Sequence, residues 1–274
     1  MEITINSRIK LNNGIEMPYI GLGTYGLHDK VALKSVDTAL EAGYRLIDTA
    51  ESYYNEKEIG EAIKKSNIPR NEIFITTKLA NENHGYDNTL KSFEGSLKRL
   101  GLDYVDLYLI HWPSSRLRDE TWRAFEFLLN EGTCRSIGVS NYTVRHLKEL
   151  FSSSSTIPAV NQVEFNPYIY QKEILELCNE KNIQVEGYTP LARTKRSNEI
   201  ELKNISDKYG KSPSQVLIRW SLQHNVIAIP KSAHENRIKE NINVFDFEIS
   251  DDDMERLNSL NENLRFSPDP HNLE

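Results

Sequence analysis

The chain has 274 residues, with 33 Lys and Arg against 40 Asp and Glu, and a formal net charge of −7 at pH 7. This acidity argues against a nucleic-acid partner, whose phosphates need a basic face, and it is ordinary for the cytoplasmic protein that we expect. Cys134 and Cys178 stand apart in the sequence and predict neither a disulfide framework nor a metal site. No run of about 18 apolar residues and no apolar N-terminal block occurs, so we predict neither a membrane span nor export.

The N-terminal residues predict a β-hairpin followed by a first strand and helix. An Asn-Gly pair lies between two short alternating runs within residues 9–17, which is typical of a hairpin and predicts an N-terminal plug. The run YIGLG at residues 19–23 predicts a strand. Residues 31–42 predict a helix that ends at Gly43, and its apolar face contains Val31, Leu33, Val36, Ala39 and Leu40.

The same succession of short apolar run, polar loop and amphipathic helix then recurs at intervals of about 25 to 40 residues. With YIGLG the runs number eight, and the other seven are RLID, EIFITTK, YVDLYLIH, RSIGVS, AVNQVEF, IQVEGY and VIAIPKS. Because no composition shift or linker divides them, we predict one domain over residues 1–274, a closed (β/α)8 TIM barrel. A doubly wound open sheet is the alternative, but no G-x-G-x-x-G follows any run.

Polar residues follow the predicted strands, where a barrel places its active site. Asp48 alone is ambiguous, since an Asp after a strand often caps the next helix. Seven of the eight predicted strands nevertheless end in polar or ionisable groups, which are Asp48, Lys78, His111, Ser140 with Asn141, Gln162, Tyr188, and Lys231 with Ser232. This set predicts an active site at the C-terminal mouth of the barrel.

Four of the residues in this region suit the reduction of a carbonyl group. A phenol such as Tyr53 donates a proton more readily if a cation such as Lys78 favours the phenolate, and Asp48 can keep that lysine charged. His111 can orient the carbonyl oxygen as a neutral donor, although chemistry alone allows Tyr53 and His111 to exchange roles.

Several longer motifs resemble the aldo-keto reductase superfamily from end to end. They are GLGT at residues 21–24, DTAESYYNE at 48–56, TTK ending at Lys78, DLYLIHWP at 106–113, GVSN at 138–141, NQVEFNP at 161–167, YTPL at 188–191 and IPKSAHENRIKEN at 229–241. The resemblance implies a (β/α)8 barrel that binds NADPH across its mouth and reduces aldehyde or ketone carbonyls to alcohols. It also implies that Tyr53, and not Tyr54, is the general acid.

The resemblance assigns roles to further residues. It implies that Asp48 and Lys78 tune Tyr53 while His111 orients the substrate. Ser140, Asn141 and Gln162 would hold the nicotinamide carboxamide, Tyr188 would stack on the ring, and Thr24 and Leu191 would lie beside the cofactor. At the other end of the cofactor, Lys231, Ser232 and Arg237 would bind the 2′-phosphate, and Glu240 and Asn241 the adenine. Whether Arg193, Lys195 or Arg196 also contacts the cofactor is left open.

Departures from the family pattern are modest. Tyr25 stands where Trp is frequent, Ala192 stands where Gly is usual, and Leu79-Ala80 follows Lys78. The segment after HWP and the tail at residues 265–274 are short, which is typical of the compact microbial branch. We expect a monomer whose partner is a small carbonyl substrate, and a tail that forms a loop over one face or is disordered.

Two other functions remain to be weighed. A lysine at a barrel strand end can form a Schiff base in an aldolase, but that chemistry has no use for Lys231, Ser232 and Arg237. A barrel can also serve as a cofactor-binding redox sensor, which the fold alone does not exclude. The sequence names neither the physiological substrate nor the direction of the reaction in the cell.

Overall fold

The N-terminal hairpin closes one end of the molecule. In the computed structural model, which describes residues 3–113 and 116–273, strand β1 (Arg8–Lys10) pairs antiparallel with β2 (Glu16–Pro18). Met17 is fully buried against the apolar interior of the barrel. The side chain of Asn12 donates to the carbonyl oxygen of Pro158, just before a barrel strand begins. The predicted hairpin is confirmed, and it covers the end of the barrel where the strands begin.

Eight parallel strands form the barrel in chain order. They are β3 (Leu22–Gly23), β4 (Leu46–Asp48), β5 (Phe74–Leu79), β6 (Leu107–Ile110), β7 (Ile137–Ser140), β8 (Val160–Glu164), β9 (Gln184–Tyr188) and β10 (Ile227–Ala228). A parallel bridge between Ile20 and Ala228 joins the two edges of the sheet, and the N–H of Gly21 donates to the carbonyl of Ala228 at 2.9 Å. Each predicted run coincides with one of these strands, although β5 extends one residue beyond its run, to Leu79. The predicted closed barrel is confirmed over the open sheet.

The first and last barrel strands approach each other closely beside the GLGT motif. A Cβ atom placed on Gly23 would lie 2.8 Å from the carbonyl oxygen of Ile229, closer than a real Cβ comes to another atom. Glycine is therefore required here for the barrel to close, which gives this motif a steric reason.

Helices lie between the strands and on the outside of the barrel. They are α1 (Asp29–Glu41), α2 (Glu56–Lys65), α3 (Tyr86–Leu100), α4 (Arg118–Asn130), α5 (Val144–Ser153), α6 (Lys172–Glu180), α7 (Ile200–Tyr209), α8 (Pro213–Gln223), α9 (Glu235–Asn241) and α10 (Asp251–Asn258). None of the helices in the described part of the chain is both long and apolar enough to cross a membrane.

The predicted apolar face of α1 was wrong at its first member. Val31 is 49% exposed, and Leu33 is only partly buried, whereas Ala32, Val36 and Ala39 are buried. These three follow a spacing of three to four residues, and Val31 falls outside that stripe. The helix also begins two residues earlier than predicted, at Asp29.

The barrel interior changes from apolar to polar towards the mouth. Side chains alternate along a strand, so Leu46 and Asp48 point to the same side, as do Val160 and Gln162. Leu46 and Val160 pack in the apolar layer beside the hairpin, while Asp48 and Gln162 lie one step closer to the carboxyl ends of their strands. The alternation therefore places buried polar groups at the mouth, above a packed apolar layer.

Candidate active site

A buried ion pair forms the centre of the site. Lys78 Nζ donates to Asp48 Oδ1 at 2.6 Å and to the carbonyl oxygen of Thr49 at 2.9 Å. The lysine side chain is fully buried and that of Asp48 nearly so. Because β4 and β5 are neighbours, residues 30 positions apart in the sequence come into direct contact at one rim.

Tyr53 is the tyrosine that reaches this ion pair. It lies in a single 3-10 turn, Glu51–Tyr53, directly after β4, and its hydroxyl lies 3.4 Å from Lys78 Nζ. Tyr54 has left-handed backbone torsions and an 82% exposed side chain. The left-handed residue turns the chain so that two adjacent tyrosines have opposite surroundings, one in the site and one in solvent.

Polar side chains on either side of Tyr53 hold this turn. Asn55 accepts from Thr49 Oγ1 at 2.6 Å and donates to the carbonyl oxygens of Thr24 and Leu27. Glu51 accepts from the backbone N–H of Ala80 and from the side chains of Asn83 and Ser92. The motif DTAESYYNE at residues 48–56 thus contains residues that fix the backbone around Tyr53, in addition to Tyr53 itself.

Burial and charge oppose each other at the three ionisable groups. Burial alone would lower the pKa of Lys78, but the charges of Asp48 and Tyr53 and the hydrogen bond to Asp48 more than offset it, and this pKa is raised. Burial raises the pKa of Asp48, against the opposing effects of Lys78 and Gln162. Burial also raises the pKa of Tyr53 above 10.0, although Lys78 acts to lower it. The expected effect of Lys78 on Tyr53 is present but is smaller than that of burial.

His111 packs beside the Tyr53 ring, and its surroundings favour the neutral imidazole. The two ring centroids are 5.5 Å apart in an edge-to-face arrangement. Burial, with a contribution from Lys78, lowers the pKa of His111 well below 6.5. Its Nδ1 lies 3.2 Å from Ser52 Oγ, and if this hydroxyl donates, the ring proton is on Nε2. Ser52, which sequence reasoning missed, can therefore set the tautomer that makes His111 a donor.

Glu186 is a further buried residue that sequence reasoning missed. Gln162 Nε2 donates to Asp48 Oδ2 at 2.8 Å and to Glu186 Oε2 at 2.7 Å. Burial is the main cause that raises the pKa of Glu186 to about 8, and the charge of Asp48 adds to it. The available signal was an acidic residue inside the apolar run IQVEGY, an even number of positions from the strand end.

The four catalytic candidates adjoin a cleft of about 820 Å³ at the mouth of the barrel. Asp48, Tyr53 and His111 line the cleft, and Lys78 lies behind them. Seven of the predicted cofactor residues also line it, namely Thr24, Ser140, Asn141, Gln162, Tyr188, Leu191 and Lys231. Tyr25 and Trp112 add aromatic surface at the same opening.

The predicted carboxamide residues form one hydrogen-bonded group. Ser140 Oγ donates to the carbonyl oxygen of Gln162 at 3.0 Å and accepts from Asn141 Nδ2 at 3.1 Å. The hydroxyl of Tyr188 donates to Asn141 Oδ1 at 2.7 Å. The Thr24 hydroxyl donates to the backbone carbonyl of Asp48 at 2.9 Å, so it supports the strand end that carries the aspartate.

Most of the residues predicted to bind the 2′-phosphate and the adenine lie outside the lining of the cleft. Lys231 lines the cleft, whereas Ser232, Arg237, Glu240 and Asn241 are not among the lining residues. Arg237 is exposed in the first turn of α9. Ser232 Oγ accepts from the N–H of His234 at 3.0 Å, so this hydroxyl also shapes the turn that leads into α9.

The three cationic residues whose contact with the cofactor the sequence left open have different surroundings. Arg193 lines the cleft. Arg196 pairs with Glu262 at 2.7 Å, and Lys195 Nζ lies 5.7 Å from the ring centroid of Phe266. Ala192, where the family usually has Gly, is buried with a φ of 46°, a conformation that glycine adopts more readily.

The C-terminal tail lies over the mouth and completes the cleft. Ser267, Pro268 and Leu273 are among the lining residues. The buried carboxylate of Glu164 accepts from the backbone N–H groups of Phe266 and Ser267, at 2.8 and 3.1 Å. The prediction of a loop over one face is therefore confirmed for the described part of the tail, and Glu164 is a further residue that sequence reasoning missed.

The chain is similar to known proteins over nearly its whole length. Residues 19–262 match the Aldo/keto reductase family. The glyoxal reductase of Bacillus subtilis (strain 168) is 47% identical over 274 residues, which cover 100% of this chain and 99% of the relative.

Two solved structures illustrate the similarity of fold. The aldo-keto reductase MGS-M4 from a Medee basin deep-sea metagenome library superposes with a TM-score of 0.95 at 44% identity, over 97% of this chain and 99% of that chain. The Bombyx mori aldo-keto reductase in complex with NADP gives a TM-score of 0.90 at 35% identity, over 96% and 95% of the two chains.

Proposed function

Since this chain belongs to the aldo/keto reductase family and is thus an oxidoreductase that reduces carbonyl groups, we propose that it uses NADPH, with Tyr53 as the general acid. One observation carries this assignment. A tyrosine hydroxyl, a buried lysine and a buried aspartate form a continuous contact at one side of a cleft, with Tyr53 OH 3.4 Å and Asp48 Oδ1 2.6 Å from Lys78 Nζ.

The donor groups of the cleft fit the parts of a nicotinamide dinucleotide. Among the residues that line the cleft, Ser140, Asn141 and Gln162 offer a hydroxyl and two amides, which suit a carboxamide. Towards the rim, Arg193 and Lys231 are the cationic residues among the described residues that line the cleft, and cations suit phosphates. A cleft of about 820 Å³ falls within the usual range of cofactor sites.

The proposed reaction adds a hydride to the carbonyl carbon and a proton to the carbonyl oxygen. When bound, NADPH supplies the hydride. Tyr53 donates its phenolic proton to the oxygen, and Lys78 stabilises the resulting phenolate through its positive charge. Asp48 keeps Lys78 protonated despite its burial. His111, neutral because of its lowered pKa, donates from Nε2 to the same oxygen and orients it.

Cofactor choice rests on the charges near the rim. Lys231 lines the cleft, and Arg237 follows six residues later in the first turn of α9. We infer that these two cations and the hydroxyl of Ser232 bind the 2′-phosphate, and that Glu240 and Asn241 contact the adenine. Both cations are exposed, so either side chain can turn towards an anion at low cost in desolvation.

The raised pKa of Lys78 argues against the Schiff-base aldolase. A lysine nucleophile must lose its proton, and aldolases achieve this with a lowered pKa. Here the carboxylate at 2.6 Å favours the protonated amine. Asp48, Tyr53, Lys78 and His111 together have no evident use in a redox sensor that only binds a cofactor, since binding needs no proton donor at the cleft.

A substrate panel tests the proposed function. We expect small aldehydes and α-dicarbonyls to be turned over, glyoxal first, because the aromatic rings of Tyr25 and Trp112 border an opening with a neutral histidine and a glyoxal reductase is 47% identical. The loss of NADPH absorbance at saturating carbonyl is the measurement. No turnover on the whole panel, with NADPH still bound, would favour the sensor. A monomeric state and a cytoplasmic location stay predictions.

A further inference from the structure

Glu186 is buried in the barrel interior and takes no part in the proposed proton transfer. It lies on β9 two residues before Tyr188, and its side chain is fully buried. Its Oε2 accepts from Gln162 Nε2 at 2.7 Å, while its Oε1 has no hydrogen-bond partner among the described residues. The layer below it in the barrel is apolar, so a carboxyl group at this position needs an explanation.

The hydrogen bonds of Gln162 supply that explanation. An amide NH2 group has two protons, and the Gln162 NH2 contacts two carboxyl groups, Asp48 at 2.8 Å and Glu186 at 2.7 Å. With both protons used, the amide cannot exchange its oxygen and nitrogen without losing two hydrogen bonds. Its Oε1 is then the polar atom of Gln162 left for the cleft that this residue lines.

Asp48 alone would fix the amide less firmly. The terminal torsion of glutamine is broad and roughly two-fold, so a single hydrogen bond restricts it weakly. Because Asp48 Oδ1 accepts from Lys78, Asp48 holds the amide through its other oxygen, Oδ2. Glu186 Oε2 remains an acceptor in either protonation state, since a proton on the carboxyl group can reside on Oε1. The hydrogen bond from Gln162 to Glu186 therefore does not require Glu186 to be charged.

We propose that Glu186 is a positioning residue of the cofactor site, which holds the Gln162 amide so that its carbonyl oxygen accepts from the carboxamide NH2 of the nicotinamide. The inference rests on the proposed function, because it deepens the role given there to Gln162. It also explains why a costly buried carboxyl group occupies a position where an apolar side chain would fill the same space.

Binding of two ligands to purified protein tests this role without any turnover. NADP⁺ and 2′-phospho-ADP-ribose differ in the nicotinamide, and both are titrated by calorimetry. Glu186→Met removes the acceptor at similar volume, and we expect it to weaken NADP⁺ binding roughly 5- to 10-fold, the loss of about one neutral hydrogen bond. Binding of 2′-phospho-ADP-ribose should change less than about twofold, because that ligand has no carboxamide.

Two further variants separate positioning from packing. Glu186→Gln keeps an acceptor for Gln162 and should restore NADP⁺ binding to near the wild-type value. In a Gln162→Ala background, Glu186→Met should cause no further loss of NADP⁺ affinity, because the amide that Glu186 positions is already absent. Glu186→Asp withdraws the carboxyl group by one methylene and should reproduce the selective loss, which keeps the test available if Glu186→Met does not fold.

Results that would overturn the positioning role of Glu186 differ from results that would overturn the proposed function. Unchanged NADP⁺ affinity in Glu186→Met and Glu186→Asp, equal losses for the two ligands, or a loss in Glu186→Gln as large as in Glu186→Met would each overturn the positioning role. Wild-type protein that binds neither ligand would instead overturn the proposed function. If wild-type protein binds both ligands and the variants bind them as wild type does, this inference alone is overturned.

Discussion

Lys78 Nζ lies 2.6 Å from Asp48 Oδ1, with side chains that are 0% and 3% exposed. An ion pair removed from water in this way is costly to break, because the remaining charge stays buried without a partner. We therefore expect the two residues to be coupled in stability as well as in the proposed chemistry.

Removing one member of the pair should destabilise the protein more than removing both. We expect Asp48→Asn to lower the free energy of unfolding by about 3–5 kcal/mol, the range for breaking a buried pair. The double variant Asp48→Asn, Lys78→Met has no buried charge in the pair and should be more stable than Asp48→Asn alone. Urea unfolding of the single and double variants is the measurement, and additive losses would show that the pair is not coupled.

Lys78 should not form a covalent adduct. With its pKa raised by Asp48, the amine is protonated at neutral pH and is a poor nucleophile. Borohydride is added to the protein in the presence of glyoxal or another aldehyde from the panel, and peptides that contain Lys78 are analysed by mass spectrometry. We expect the unmodified mass, with exposed Lys239 as the internal control for non-specific labelling. A reduced adduct confined to Lys78 would support the aldolase instead.

Glu186 should make stability depend on pH in a defined window. Its pKa is raised on folding from 4.5 to about 8. The unfolded state thus releases this proton at lower pH than the native state, and the native state loses stability as the pH rises from about 4.5 to about 8. Glu186→Gln has no such proton.

The thermal midpoint of Glu186→Gln relative to wild type should therefore rise between pH 5 and pH 8 and level off above it, by roughly several degrees in total. Thermal unfolding of both proteins at matched ionic strength is the measurement. A difference that is constant over this window would show that Glu186 does not carry the raised pKa.

The architecture of the barrel was predictable because it depends on local patterns. Short apolar runs separated by amphipathic helices determine the eight strands and their order. A residue such as Lys78 at the end of a run must then lie at the mouth of the barrel. The start of α1 was less predictable, since Val31 is apolar but exposed, and only packing against the barrel decides which apolar residues form the buried stripe.

The supporting residues of the site were not predictable in the same way. Ser52, Glu164 and Glu186 act through contacts that join distant parts of the chain, such as the contact of Glu164 with the backbone of Phe266, 102 residues later. A glutamate within an apolar strand indicates that something is unusual, but its partner depends on which side of the strand it faces and on which strand lies beside it.

Cofactor preference should depend on Arg237. A hydrogen bond to a charged group contributes about 1.5–3 kcal/mol, so Arg237→Ala should weaken NADPH binding by that amount and leave NADH binding nearly unchanged. The preference for NADPH should also shrink as ionic strength rises, because exposed charges are screened over about 10 Å at 0.1 M salt.

Fluorescence titration of both cofactors against wild type and Arg237→Ala is the measurement. Lys239→Ala is the matched control, since Lys239 is an exposed cation on the same helix that pairs with Glu235. Equal losses for NADPH and NADH in Arg237→Ala, or a loss in Lys239→Ala of the same size, would show that Arg237 does not bind the 2′-phosphate.

The most direct test of the central claim compares two adjacent tyrosines. The hydroxyl of Tyr53 lies 3.4 Å from Lys78 Nζ, whereas the side chain of Tyr54 is 82% exposed. Steady-state reduction of one aldehyde is measured for wild type, Tyr53→Phe and Tyr54→Phe, with NADPH affinity measured on the same preparations. We predict that Tyr53→Phe lowers kcat roughly 10²–10⁴-fold with nearly unchanged NADPH binding, and that Tyr54→Phe stays close to wild type. A near wild-type kcat in Tyr53→Phe, or equal losses in the two variants, would contradict the assignment of Tyr53 as the general acid.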